Sequence, residues 1–360
     1  MAIDPTDTIP WTTPKSPVWR NQNQDLIKKD GDGVGTGLVR LIAAKFCGQR
    51  NMRAARFFLK SLTCGSKLSS QRRKHDKGPS LLSQHVQSLQ FSWGKSGSMG
   101  NLGASLFCKI LQSCPLLENI FISNPFPLAF NEPMLEALAS KPFIKELVLT
   151  NITNLLSVTF QWPPNEIVSR LFSHWNSLET VEFSQLSGWP RGLSWDLASN
   201  TIPVLNCAIR TMNSMDHDLD ELTLSNLLRS CGESTRTLKT AGPYLHLNSE
   251  AFGRVLQNCT SPNLECLIIL RPMHWKQYMS PNLELSPALL DAVFDSPNAL
   301  RNLKTLSFHG NQMATDRLLA LSPKSLLKLS MERCNIVASC VIEALVISSG
   351  HDEELLPNLS

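Results

Sequence analysis

The sequence predicts an α/β solenoid in which short parallel strands alternate with helices. Leucine is abundant, at 56 of 360 residues, whereas only 18% of the residues are charged. The pattern apolar-x-x-apolar-x-apolar recurs along most of the chain, and in several copies a helical apolar stripe precedes it. Because the two patterns alternate with a period of about 30 residues, each unit is expected to bury its apolar face against its neighbours.

Composition and charge exclude several classes of protein. With 42% apolar residues, most of the chain can bury enough surface to fold. A net charge of +4 excludes a strongly basic nucleic-acid binder, so nucleic acid is not an expected partner. No apolar run approaches the roughly 20 residues of a membrane span, and no secretory signal is readable. We therefore expect a soluble protein of the cytoplasm or nucleus, without a membrane partner, whose ten cysteines are reduced thiols.

The N-terminal region differs from the rest of the chain in charge. Residues 1–100 contain 16 Lys and Arg against 6 Asp and Glu, whereas the remainder contains 18 against 24. Residues 1–80 are predicted to form a basic, weakly structured segment, with a candidate amphipathic helix at 36–63 and a polar loop at 64–80. Residues 81–360 are predicted to form the solenoid.

Each unit of the solenoid is predicted to contain a short helix. Residues 106–114, 223–231 and 251–259 align without gaps and have apolar residues at i, i+3, i+4 and i+7, and a looser copy begins at Val168. The residues at i+7 in the four copies are Cys114, Trp175, Cys231 and Cys259. Because cysteine and tryptophan exchange at this position, we predict a buried core position there and not a reactive thiolate.

A short strand is predicted after each helix. The first positions of the nine strand patterns are Val86, Leu117, Ile144, Leu178, Val204, Thr235, Leu264, Leu303 and Leu326. The copies at Val204, with Cys207 and Ile209, and at Thr235 are weaker than the others. Residues 355–360 look like the opening of a tenth unit, so the stack is expected either to be truncated or to end in an unusual way.

The two most complete copies, at 303–311 and 326–334, fit L-x-x-L-x-L-x-x-N/C. This pattern resembles leucine-rich-repeat (LRR) proteins, specifically the irregular repeats of ribonuclease-inhibitor-like and F-box proteins. The sequence segments 113–120 and 261–267 are similar to segments of fungal F-box/LRR proteins. The resemblance implies an α/β LRR solenoid, with a concave parallel sheet and helices on the convex side, that recognises other proteins without catalysis.

An F-box would make the chain the substrate-binding part of a ubiquitin ligase receptor. The F-box pattern is Leu-Pro-x-Glu followed by spaced apolar residues and a Trp. This sequence contains no Leu-Pro-x-Glu. The domain has been lost, has diverged, or lies outside the gene model. Two hypotheses follow: the concave face holds a protein substrate while an N-terminal helical element binds the ligase adaptor subunit, or the chain is an LRR scaffold without a ligase link.

Sequence motifs for enzymatic chemistry fail at required positions, so we expect no enzyme, no cofactor and no metal site. Gly-Lys-Ser at 94–96 lacks the first glycine of a P-loop, which would fall at Leu89. Residues 30–35 resemble half of an EF-hand loop, but Val34 occupies a ligand position. The basic run at 72–77 contains no aromatic residue and favours a solvated loop over a nuclear-localisation or phosphate-binding patch.

The predicted binding site is the concave face of the sheet. Residues between the inward apolar positions of each strand point to that face. Apolar side chains there are unusual for a solvated sheet and are expected to anchor a partner; the alternative is that N-terminal residues or long loops cover them. The predicted protein-binding residues are Phe121, Val148, Glu182, Ile268, Leu270, Ser307, His309, Ser330 and Glu332.

Overall fold

The strands form one parallel sheet in which spatial order follows chain order. The computed structural model describes residues 41–42, 46–47, 51–63, 81–92, 100–123, 131–150, 167–184, 208–215, 219–241, 247–270, 288–310, 313–334 and 336–348. The strands in these ranges are β1 (Leu41–Ile42), β2 (Phe46–Cys47), β3 (Val86–Ser92), β4 (Asn119–Ser123), β5 (Glu146–Thr150), β6 (Thr180–Ser184), β7 (Thr211–Met215), β8 (Thr237–Ala241), β9 (Cys266–Leu270), β10 (Thr305–His309) and β11 (Lys328–Glu332). From β3 to β11 each strand pairs in parallel with the next, which is the predicted α/β topology of an LRR solenoid.

Helices lie between consecutive strands in the chain. Those described are α1 (Asn51–Thr63), α2 (Gly100–Gln112), α3 (Asn131–Ala139), α4 (Glu221–Ser230), α5 (Ser249–Cys259), α6 (Leu289–Phe294), α7 (Arg317–Leu321) and α8 (Ala338–Ser348), with a π-helical turn at Val168–Phe172 and 3-10 turns at Leu81–His85 and Gly232–Ser234. The three gap-free helical segments predicted from the sequence coincide with α2, α4 and α5. Helix α5 begins at a regular cap, where the side chain of Asn248 accepts the backbone N–H of Ala251 at 2.7 Å.

The apolar core lies between the sheet and the helices. Inward residues of the strands, such as Leu89 and Leu147, are 0% exposed. The residues at i+7 of the helical pattern are buried as predicted: Cys114, Trp175, Cys231 and Cys259. The indole N–H of Trp175 donates to the carbonyl of Leu138 in the preceding unit at 3.3 Å, so this core position also links neighbouring repeats.

The sheet begins before the predicted start of the solenoid at residue 81. Both β1 and β2 pair in parallel with β3, through Leu41 with Val86 and Phe46 with Phe91. Within the candidate helical segment 36–63, α1 occupies residues 51–63, whereas residues 41–42 and 46–47 form β1 and β2. Short apolar runs fit either a helix or a strand, and here the edge of β3 offers them hydrogen-bond partners. Residues 1–40 and 64–80 lie outside the described residues.

The predicted strand pattern at Val204 is also wrong in its register. The strand of that unit is β7, at Thr211–Met215. Ile209 therefore occupies the first apolar position of the apolar-x-x-apolar-x-apolar pattern and not the third. Its inward residues are Met212 and Ser214, which are 0% and 1% exposed. A serine at a core position hid the apolar alternation, so the pattern was placed on residues further upstream.

Charged residues form a ladder at the edge of the sheet where the strands begin. The row contains one residue from each of the seven units of β4 to β10: Glu118, Lys145, Glu179, Arg210, Arg236, Glu265 and Lys304. The backbone N–H of each of the last six donates to the carbonyl of the residue before it, at 2.7–2.9 Å. Two adjacent pairs also form ion pairs at 3.0 Å, Lys145 with Glu118 and Lys304 with Glu265. The opposite charges of these two pairs favour the observed register of their strands, whereas Arg210 and Arg236 are adjacent and of like charge.

Candidate protein-binding face

All nine residues predicted to bind a protein lie on the sheet face turned away from the core. The middle row of this face has one residue per strand, from β3 to β11: Gln90, Phe121, Val148, Glu182, Asn213, Lys239, Ile268, Ser307 and Ser330. The other three predicted residues, Leu270, His309 and Glu332, lie two positions further along their strands. Neighbouring strands of a sheet are about 4.8 Å apart, so the row is a continuous surface.

The centre of the middle row is polar. Glu182, Asn213 and Lys239 follow one another on β6, β7 and β8, and all three are half-buried. The side-chain amide of Asn213 donates to the carboxylate of Glu182 at 3.2 Å. This group can offer a carboxylate, an amide and an ammonium to polar groups of a partner.

Two of these central residues, Asn213 and Lys239, were absent from the sequence prediction. Strands β7 and β8 have Ser214 and Thr240 at an inward position, so they lack the alternation that identified the other strands. Two signals in the sequence could have located Asn213 and Lys239. These are the apolar residues Ile209, Met212 and Leu238 and the spacing of the neighbouring units.

Apolar residues flank the polar centre on both sides. Phe121 is half-buried on β4, and Ile268 and Leu270 are half-buried on β9. Val148 lies in the same row, between Phe121 and Glu182, but it is only 6% exposed and presents little free surface. The accessible apolar area is therefore provided by Phe121 at one end and by Ile268 and Leu270 at the other.

The C-terminal part of the face is polar and charged. The imidazole Nδ1 of His309 lies 3.2 Å from the carboxylate of Glu332, and the two side chains are 15% and 68% exposed. Ser307 and Ser330 occupy the middle row beside this pair. His309 presents Nδ1 to Glu332, while its Nε2 is buried and has no hydrogen-bond partner among the described residues.

One cysteine, Cys266, lies on this face of the sheet. Cys266 lies on β9, and burial raises the pKa of its thiol, an effect that the ammonium of Lys328, two strands away in the same row, partly offsets. The seven cysteines whose side chains are described are free thiols. Among the described residues there is no cluster of three or more His, Cys, Asp or Glu side chains that could hold a metal ion.

Several sequence features lie outside the described residues. These are the glycine-rich segment at 30–35, the basic run at 72–77, the Gly-Lys-Ser segment at 94–96 and the last residues, 355–360. In the ranges that are described, no helix is long and apolar enough to span a bilayer.

Comparison with known proteins gives similarity in solved structures only. No protein-family model matches the chain, and no curated protein matches it. A chain from the complex of Rad7 and Elc1 in yeast is 18% identical, with a TM-score of 0.39, over 77% of this chain and 68% of that one. The leucine-rich repeat-containing protein LegL7 from Legionella pneumophila is 13% identical, with a TM-score of 0.37, over 88% of this chain and 100% of that one. The fold of the present chain is defined by its own strand order and register: an LRR solenoid.

Proposed function

We propose that the chain is a non-catalytic protein-recognition module that binds a protein partner on the concave face. The observation that carries this proposal is the middle row, in which a polar centre lies between accessible apolar residues. Protein interfaces gain most of their binding energy from a few apolar anchors surrounded by polar contacts. Phe121, Ile268 and Leu270 are the anchors, and Glu182 with Lys239 supplies the polar contacts that select the partner.

The spacing of the row sets the size of the bound segment. Phe121 on β4 and Ile268 on β9 are five strands apart, which corresponds to about 24 Å. An extended peptide rises about 3.3 Å per residue, so a segment of roughly seven residues spans the two anchors. A helix rises 1.5 Å per residue and would need about 16 residues.

Site-specific photocrosslinking tests this function. A photoreactive phenylalanine analogue at position 121 is expected to capture a discrete protein in cells that express the chain. The matched control carries the same analogue at Phe143, which is 48% exposed and lies in the turn before β5, off the concave face. Leu270→Asp is expected to abolish the capture, because it places a charge at an apolar anchor.

The control substitution for the anchor is Leu222→Asp. Leu222 is 53% exposed on α4, so it tests the same chemical change at a site that the proposal does not use. Equal capture at positions 121 and 143, or equal loss with Leu222→Asp and Leu270→Asp, would contradict recognition by the concave face.

The more specific form of the proposal is that the chain is the substrate-binding part of an F-box-type ubiquitin ligase receptor. Helix α1 is the N-terminal helical element available to bind the adaptor subunit, and its exposed residues Arg56, Phe57 and Lys60 form an accessible surface. Co-precipitation of the adaptor with the full chain, lost with Phe57→Asp, supports this role. No adaptor binding by the intact chain rejects the ligase role and leaves protein recognition standing.

The alternative is an LRR scaffold or regulatory protein without a ligase link, which the missing Leu-Pro-x-Glu favours. It predicts that the photocrosslinked partner is retained while no adaptor is bound. It also predicts that partner binding survives removal of residues 1–39, a deletion that leaves β1, β2 and α1 in place. Loss of the partner in that deletion would count against the scaffold role.

A further inference from the structure

In the described part of the chain, β11 is the last strand of the sheet and one of its edges is unpaired. Among the described residues it pairs only with β10, whereas β4 to β10 pair with a strand on each side. Its core-facing residues Leu329 and Met331 are only half-buried, whereas the residues paired with them on β10, Leu306 and Phe308, are 0% and 1% exposed. An open sheet edge beside an incompletely covered apolar face is a template for pairing with a further strand.

The backbone of β11 shows which of its groups face that edge. The N–H of Lys328 donates to a carbonyl on the β10 side at 2.9 Å, and the carbonyl of Glu332 accepts an N–H from the same side at 3.0 Å. Peptide groups alternate in direction along a strand, so those of Lys328, Ser330 and Glu332 face β10. The N–H and C=O groups of Leu329 and Met331 therefore face the free edge.

The sequence of β11, Lys-Leu-Ser-Met-Glu, is complementary to itself when it runs antiparallel. We propose that β11 pairs with β11 of a second copy of this chain and forms a two-fold symmetric dimer. In the register centred on Ser330, Lys328 of each copy lies opposite Glu332 of the other. Leu329 lies opposite Met331, and these two pairs exchange four backbone hydrogen bonds through the groups that face the edge.

The charges favour this register over its competitors. In-register parallel pairing would place Lys328 against Lys328 and Glu332 against Glu332, and it would not close a two-fold dimer. A slip of one residue would place apolar side chains on the polar side of the sheet. Glu332 is 68% exposed, so its carboxylate is accessible to a lysine of the second copy.

The apolar surface continues beyond the strand on the core side of the sheet. After β11 the chain enters α8, where Ile342 is 61% exposed, and Val337 just before that helix is 53% exposed. In the two-fold arrangement the α8 helices of the two copies lie on the same side of the joined sheet. Leu329 and Met331 then become interior residues of a continuous core, and Val337 and Ile342 border it.

Sedimentation analysis of the full chain tests the dimer. The wild-type chain is expected to sediment with twice its 40.0 kDa mass. Lys328→Glu converts both Lys–Glu pairs into Glu–Glu pairs and is expected to raise the dimer dissociation constant about tenfold or more. Glu332→Lys should do the same, and the double variant K328E/E332K should return the constant to about its original value because the pairs are restored in reverse.

Lys239→Glu is the matched control, since it reverses the same charge on the same sheet face but on the interior strand β8. It should leave the dimer intact, and circular dichroism should show that each variant is folded. A wild-type chain that remains monomeric up to about 100 μM would overturn the proposal. A dimer that tolerates both single charge reversals, or that the double variant does not restore, would also overturn it.

Discussion

Strands β10 and β11 have the same repeat pattern but differ in what lies beyond them. Leu306 and Phe308 of β10 are almost completely buried, whereas Leu329 and Met331, paired with them on β11, are only half-buried. Both strands belong to the same sheet and both units include a helix. The difference arises because β10 has a strand on each side and β11, among the described residues, has a strand on one side only.

This difference shows that a repeat does not bury its own core. The apolar face of each unit is completed by the unit that follows it, so stability is expected to reside in the interfaces between neighbours. The same substitution should therefore be costly in an interior unit and mild in the terminal one. Three matched pairs of positions test this expectation.

The largest effect is expected for Leu306→Ala compared with Leu329→Ala. The two leucines are paired directly across β10 and β11. Leu306→Ala should lower the free energy of unfolding by about 3 kcal/mol, because it opens a cavity in a closed core. Leu329→Ala should cost about 1 kcal/mol, because part of the side chain is already in contact with water and the site is not a closed core.

Urea denaturation measures both free energies, at protein concentrations where the chain is monomeric so that the terminal strand is not covered by a second copy. The two variants differ in position only, so the leucine-to-alanine change is its own control. Equal destabilisation by the two substitutions would contradict the dependence on a following unit.

A smaller effect is expected for the aspartates that connect consecutive units. Asp291 of α6 is 2% exposed and accepts hydrogen bonds from the backbone N–H and the hydroxyl of Thr315. Asp316 accepts the backbone N–H of Val337 at 2.9 Å, but it is exposed. Asp291→Ala should cost about 2 kcal/mol, since bonds to a buried charged acceptor are strong, and Asp316→Ala about 0.5 kcal/mol.

Thermal unfolding followed by circular dichroism ranks these two variants. Asp291→Asn keeps one acceptor oxygen and should fall between the wild-type chain and Asp291→Ala. If Asp316→Ala destabilises the chain as much as Asp291→Ala, burial is not what strengthens the interior connection.

The smallest effect is expected for the ion pairs between neighbouring helices. The guanidinium of Arg254 on α5 binds the carboxylate of Glu221 on α4 at 2.7 Å, and this hydrogen bond lowers the pKa of Glu221. The corresponding pair nearer the C-terminus, Arg317 with Asp295, is looser, at 3.7 Å. Both pairs are largely exposed, so solvent screens them.

The lowered pKa of Glu221 fixes the pH dependence of this contribution. The stabilisation is present above the ordinary glutamate pKa of about 4.3 and is lost as the pH falls through the lower value of the folded chain. Arg254→Met should therefore reduce the urea midpoint slightly at pH 7 and not at all at low pH, and Arg317→Met should have less effect. A loss with Arg254→Met that persists unchanged at pH 3 would contradict the assignment to Glu221.

The repeats that carry strong apolar alternation were predictable from the sequence, and β7 was not. Strands such as β4 and β10 fill every inward position with an apolar side chain, so their period identifies them. In β7 the inward Ser214 is 1% exposed, and its hydroxyl has no hydrogen-bond partner among the described residues. A small polar residue can occupy a core position when its neighbours enclose it, and a pattern of residue types does not record that enclosure.

The candidate binding face was predictable as a set of positions and less so as a surface. Alternation within a strand assigns Phe121, Val148 and Ile268 to the face away from the core, as observed. The accessibility of each side chain depends on its neighbours in space, which is why Val148 is buried while Phe121 and Ile268 are not. Asn213 and Lys239 of the polar centre were missed because the inward Ser214 and Thr240 interrupt the apolar alternation of β7 and β8.

The chain order of apolar and polar residues thus specifies the repeat, the class of fold and the face on which each side chain lies, because the periods of strands and helices are local properties. Other features are properties of the assembled stack. They are the pairing of β1 and β2 with β3, the burial of Ser214 and Val148, and the open edge of β11 in the described part of the chain. They depend on which units are neighbours and on whether a neighbour is present, and burial and strand pairing arise only when units that are distant in sequence are in contact.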